Sequence, residues 1–259
     1  MTETVLDMAH AAMEAAPADN AARMAFYNRL AEAELFVLLT SEAVGDRIEP
    51  DLFEVDDCTF ALVFDREDRL AEFAGGPAPY AALSGRAIAG ILAGQGIGLG
   101  LNLGTAEAAL LPGGAMDWLA ETLDVAPSET DARPVEIRAP QGIPQALLKA
   151  IDGKLAASGG MARLAYLVSV IYAPARPGHM LAFVDAVPGA EAALGRGISE
   201  ALIFSGLEAG ELDVGFFDAS DPISAKLAKV GLRFDLPLNA DERVRKAPGL
   251  DPERPPKLR

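Results

Sequence analysis

Residues 94–104 read GQGIGLGLNLG. Glycine N–H groups at such a run can cradle phosphate, so a nucleotide loop is the first chemistry to test. A dinucleotide fingerprint places glycine at offsets zero, two and five, and its glycines open a helix. Counting five onward from Gly94, Gly96 and Gly98 reaches Leu99, Leu101 and Leu103, and no G-K-[ST] occurs. The preceding pattern, Ser84 as N-cap with Ile88, Ile91 and Leu92 as a buried stripe, predicts a helix that ends at Gly94. The segment therefore begins where a helix stops. What remains is strand alternation. Ile97, Leu99, Leu101 and Leu103 share one face; Gly96, Gly98, Gly100 and Asn102 share the other. Glycine is costly in a strand, so a stripe of it implies that something lies close against that face. Two occupants stay open: a helix or side chain of the same domain, or a ligand or partner segment, with Asn102 supplying hydrogen bonds.

The remaining reactive residues are few. There are two histidines, His10 and His179, and neither has a partner at ligand spacing. A histidine metal site or triad is not expected, and no metal or cofactor is. The single cysteine, Cys58, follows Asp56 and Asp57, whose charge raises a thiol's pKa. It reads as a buried structural cysteine. No serine sits in a G-x-S-x-G elbow, and HExxH, EF-hand and CxxC patterns are missing. Arg86, in SGRAIAG, and Arg196, in GRGIS, lie near expected helix starts. With the backbone N–H groups there they are candidate anion contacts, the simpler reading being exposed arginine.

Composition narrows the partners. The chain has 259 residues, 51% hydrophobic, with a net charge of −16. That is enough apolar material for real cores and is unlike a disordered chain. The negative charge disfavours nucleic acid and anionic lipid. A lone cysteine fits a reducing cytoplasm, and MTETVLDMAHAAMEAAP lacks the basic and apolar regions of a signal peptide. A soluble cytoplasmic protein is expected.

The elements that would position these residues follow from periodicity. Val5, Met8, Ala9, Ala12 and Met13 repeat at helical spacing, and a second helix carries Met24, Tyr27 and Leu30. Leu35–Leu39 and residues 58–65 read as strands. Asp65 is expected to cap the helix REDRLAEFA, which Gly75 ends. GGPAPY reads as a turn, AALLPGG as a short strand and turn, and Ala115–Leu123 as a helix. DVAPSETDARP reads as the interdomain linker. Beyond it come a strand at 135–139, a helix at 144–157, a hairpin of 163–173 with 179–187, and a helix at 190–207 weakened or broken by GRG. A strand at 212–218 and a helix capped by Asp221, with Pro222 at its first position, complete the series. The fold class is thus α+β in two mixed domains. The second has βαββαβ order plus a helix, which suggests a ferredoxin-like sheet. The expected boundaries are 1–123, a linker at 124–134, 135–238, and a disordered tail at 239–259.

Three stretches together resemble the SseB family, named for enhanced serine sensitivity: FYNRLAEAELFVLL (26–39), FALVFDREDRLAEFAG (60–75), and GQGIGLGLNLG with the following LLPGGAMDWL. They match its N-terminal domain over much of 20–123. Residues 134–235, through LAYLVSVIYA and DPISAKLAKVGLRF, are similar to its C-terminal domain. The resemblance carries no catalytic residues and implies a link to amino-acid metabolism. The expectation is a non-enzymatic binding or regulatory protein whose acidic surface favours a basic protein partner. A small-molecule sensor or an enzyme of unassigned chemistry is the alternative. Pairing of exposed sheet faces in a homo-oligomer is a further expectation.

Overall fold

A computed structural model of the chain describes residues 3–45, 47–124, 134–174, 176–205 and 212–237. The fold divides into two compact units, Met1–Ala126 with Ile203–Leu207, and Pro127–Leu202 with Glu208–Arg259. Both are α+β, as the periodicity implies. The expected linker core and the expected tail lie outside the described residues.

The first unit begins with helices α1 (Val5–Ala15) and α2 (Asn20–Glu32). Thr4 and Asp7 form a reciprocal capping box on α1, and Asp19 caps α2 by accepting from the Ala21 N–H. Strands β1 (Glu34–Leu38), β2 (Leu52–Val55) and β3 (Cys58–Phe64) follow, then α3 (Glu67–Ala74), β4 (Tyr80–Ser84), α4 (Gly85–Leu92), β5 (Ile97–Leu101), β6 (Ala109–Leu111) and α5 (Gly113–Asp124). The sheet order is β4-β1-β3-β5-β6, with β2 also on β3. β3 and β5 are parallel and the other pairings antiparallel. β3 shares one edge between two short strands: β2 pairs with its first half and β1 with its end.

Alternation splits the sheet into two faces. Leu35, Val37, Ala61, Val63, Leu99 and Leu101 turn to a core completed by helical residues such as Phe26, Leu30, Ile88 and Met116. Leu38, Leu62 and Phe64 turn the other way, where Leu70 of α3 covers them. Burial of large side chains in such a core contributes about 1.5–3 kcal/mol each.

Four local expectations for this unit need correction. GGPAPY leads directly into an edge strand, β4, whose short alternation the turn signals hid. Ile91 is 41% exposed, because α4 buries only a narrow stripe of Ile88, Ala89 and Leu92. Cys58 is exposed. It leaves a two-residue hairpin turn in which Asp56 and Asp57 both have positive φ, a type I′ geometry that suits Asp. Asp65 does not cap α3. The cap residue is Arg66, whose side chain pairs with Asp68 and makes no capping hydrogen bond, and the Asp65 carboxylate is engaged elsewhere.

The second unit contains β7 (Pro134–Arg138), α6 (Gln145–Ala157), β8 (Ala162–Tyr172), β9 (Arg176–Ala186), α7 (Glu191–Phe204), β10 (Leu212–Phe217), α8 (Pro222–Val230) and β11 (Leu232–Asp235). Its sheet runs β10-β9-β8-β11, with β7 also on β8. A ferredoxin-like sheet would insert one strand between β7 and β8 and another between β9 and β10. Here β7 pairs directly and antiparallel with the end of β8, and β10 directly and parallel with β9. β11, absent from the sequence reading, takes the other half of the β8 edge. An 11-residue strand is long enough to seat two short partners on one side. α7 runs unbroken through Gly195 and Gly197. Burial of Leu194, Ile198 and Ala201 offsets a helix cost of about 1 kcal/mol per glycine.

Candidate functional site

The parallel strands β3 and β5 end side by side, and the richest polar cluster of the first unit sits at their carboxyl ends. In open α/β sheets this is where ligands bind. Arg69, on the first turn of α3, is 2% exposed. Its Nη1 and Nη2 donate to the two carboxylate oxygens of Asp7 at 2.8 and 2.7 Å. Nη1 also donates to Asp65 at 2.8 Å. Glu107 stands 3.9 Å from Nη2. The Thr4 hydroxyl donates to the other Asp65 oxygen at 2.6 Å, and the Thr4 N–H donates to Asp7 at 2.8 Å. The N-terminal turn of α1 is thereby fastened to the end of β3.

Asn102 closes the group. It follows β5 with φ +49°, a left-handed conformation that asparagine tolerates, and it is fully buried. Its N–H donates to Val63 O, and its Oδ1 accepts from the Asp65 N–H at 3.1 Å. Its carbonyl accepts from both the N–H and the hydroxyl of Thr105, which shapes the turn toward Glu107. Two buried donors, Arg69 Nε and Asn102 Nδ2, have no hydrogen-bond partner among the described residues.

The electrostatics hold the charged forms. Burial pushes the Asp7 carboxyl upward, but hydrogen bonds from Arg69 and Thr4 outweigh it and hold Asp7 below its ordinary value. Arg69 is held protonated above the usual guanidinium range by its Asp7 hydrogen bonds, with the Asp65 charge adding to them against burial. Such a cluster can recognise or hold a carboxylate. Neither Asp7 nor Arg69 is placed to exchange a proton near neutrality.

Of the predicted glycine face, only Asn102 joins this cluster. A side chain at Gly98 would lie 2.4 Å from Leu111 O and 2.6 Å from the Phe60 ring, so a neighbouring strand and ring fill that space. Gly100 lies under Leu103, which a Cβ there would meet at 3.1 Å. Gly96 precedes β5 with φ +69° and faces open space. Arg86 falls in the first turn of α4, as expected. Arg196 is exposed and in the second turn of α7, past the free N–H groups of the helix start that the reading required. Neither arginine belongs to the cluster. His10 packs on Phe26 with ring centroids 5.4 Å apart, and His179 Nε2 lies 3.0 Å from Gln141 O. No group of three His, Cys, Asp or Glu residues that could hold a metal ion occurs among the described residues. No described helix is long and apolar enough to cross a membrane.

Sequence reasoning missed Thr4, Asp7, Asp65 and Arg69 as a unit. Two local signals existed: Thr4-x-x-Asp7 has the form of a capping box, and Asp65 and Arg69 have i,i+4 spacing. Nothing local joins Asp7 to Arg69, 62 residues away.

No curated protein and no solved structure matches the chain. Residues 9–118 match the family model of the SseB protein N-terminal domain. The matched stretch contains Asp65, Arg69, Asn102 and Glu107 and begins after Thr4 and Asp7. The match supports SseB family membership for this part of the chain.

Proposed function

We propose that this is a non-catalytic cytoplasmic binding or regulatory protein, SseB-like in both units, that docks a basic protein partner on the open face of its first sheet. The observation carrying this reading is apolar exposure on the sheet face turned away from α2 and α4, beside the part that α3 covers: Phe53 is 42% exposed and Leu110 44%. Register places both on the face that holds Phe60, Gly98 and Gly100. Exposed aromatic and aliphatic residues on one sheet face are the usual anchors of an interface. The net charge of −16 selects a basic partner and makes the encounter sensitive to salt.

The test is capture from native cytoplasmic extract at low and high salt, by the intact chain and by Phe53→Asp and Leu110→Asp. One stoichiometric partner, lost at high salt and lost with either substitution, is the expected result. Capture that ignores both substitutions refutes the docking face. Light scattering of the purified chain identifies the case in which a second copy occupies it. A sensor, or an enzyme linked to amino-acid metabolism, is the second reading, favoured by the unpartnered donors of Arg69 and Asn102.

A further inference from the structure

We propose that Arg69 and Asn102 form a carboxylate-binding site that Asp7 occupies as a built-in, displaceable ligand. This goes beyond the docking reading and does not depend on it.

Three observations meet at this site. The first is geometric. Asp7 approaches Arg69 as a free carboxylate ligand would, with both oxygens on both terminal nitrogens at 2.8 and 2.7 Å. The second is one of unused capacity. Arg69 Nε and Asn102 Nδ2 are buried donors that Asp7 leaves without partners. Buried donors are normally satisfied, and an unsatisfied one calls for an explanation. A free carboxylate, not held by the α1 backbone as Asp7 is, can shift to accept from these donors as well. The third is the origin of the occupant. Arg69, Asp65 and Asn102 belong to the stretch matching the family domain, whereas Asp7 and its cap residue Thr4 precede it. Asp7 is thus contributed by the first turn of α1, a separate element from the strands and helix that hold its receptor.

The surrounding charges select the ligand class. Asp65 and Glu107 stand at 2.8 and 3.9 Å from the Arg69 nitrogens. A monoanion exchanges for Asp7 with no change in the local charge. A phosphate dianion would add a charge beside two carboxylates, which disfavours it. Release of Asp7 also frees the first turn of α1, since Thr4 and Asp7 cap each other as well as bonding to Asp65 and Arg69. Carboxylate binding is therefore coupled to loosening of the segment around Thr4–Met8.

The experiment uses the full chain with acetate as probe, against chloride at equal ionic strength. In Asp7→Asn the plug is weakened and the site retained. Acetate is expected to raise the Tm of this variant by about 2–5 °C at saturation, beyond the chloride control. Asp7→Asn/Arg69→Met should lose that response, and inorganic phosphate should give less of it. In the wild-type chain, acetate should speed amide exchange in the first turn of α1. Equal acetate and chloride responses in Asp7→Asn overturn the proposal. An unchanged response in the double variant, or a larger one to phosphate, does the same. If Asp7→Asn does not fold, amide exchange in the wild-type chain decides alone, and exchange that ignores acetate overturns it.

Discussion

Replacing Arg69 with methionine keeps the length of the side chain and removes its charge. The consequences follow from what surrounds it. The side chains of Asp7 and Asp65 are 2% and 4% exposed, and both would be left buried without their shared cation. Removing one member of a buried ion pair costs about 3–5 kcal/mol. Asp7→Asn is milder, about 1–3 kcal/mol, because Arg69 keeps Asp65 at 2.8 Å and loses only part of its compensation. The order is the informative quantity: Arg69→Met should cost more than Asp7→Asn. The double variant should cost less than the sum, with a coupling of about 0.5–3 kcal/mol. Urea unfolding followed by Trp118 fluorescence is the assay, since the only tryptophan lies in α5 beside Tyr27 and reports the first unit. For an m-value of about 1–3 kcal/mol per molar urea, the Arg69→Met midpoint falls by at least about 1 M. A loss below about 1 kcal/mol, or a smaller loss than that of Asp7→Asn, would show that the cluster is hydrated and would refute this reasoning.

Acid should act through the same residues. The folded-state pKa of Asp7 lies below its ordinary 3.8, so its contribution is present above that value and is lost as pH falls through the folded pKa. Stability measured from pH 6 down to about pH 2 should therefore fall less steeply in Asp7→Asn than in the wild type. Burial first, then the Asp213 carboxylate, raises the Tyr172 pKa; burial raises Tyr27, and its bond to Glu67 raises Tyr80. Ultraviolet titration should find these phenols ionising above 10, and a full set of tyrosines titrating together near 10 would contradict it. Gly98→Ala should destabilise the first unit by about 1–3 kcal/mol through overpacking against Leu111 O and Phe60. Gly96→Ala meets no neighbour, so its cost of about 1 kcal/mol comes from the left-handed backbone alone. Comparing the two midpoints separates crowding from backbone strain, and equal losses would sink the distinction.

The sequence by itself determined most of the local structure. Capping by Ser84, the helices α2 and α5, and the alternation of β5, β8 and β9 are properties of neighbouring residues, and they appear where expected. Spacing alone also placed a strand rather than a phosphate loop within residues 94–104; the strand is shorter than expected, Ile97–Leu101, with Gly96 and Asn102 just outside it. Tertiary structure decided what spacing cannot encode. It placed the ring of Phe60 and the chain of β6 against Gly98, and it divided the edges of β3 and β8 between two short strands each. Periodicity assigns a residue to a face but says nothing of which strand lies alongside. It also brought Asp7 to Arg69 across 62 residues. A single aspartate has no period, so its partner is chosen by the packing of α1 beside the ends of β3 and β5, where a buried guanidinium must find a negative charge.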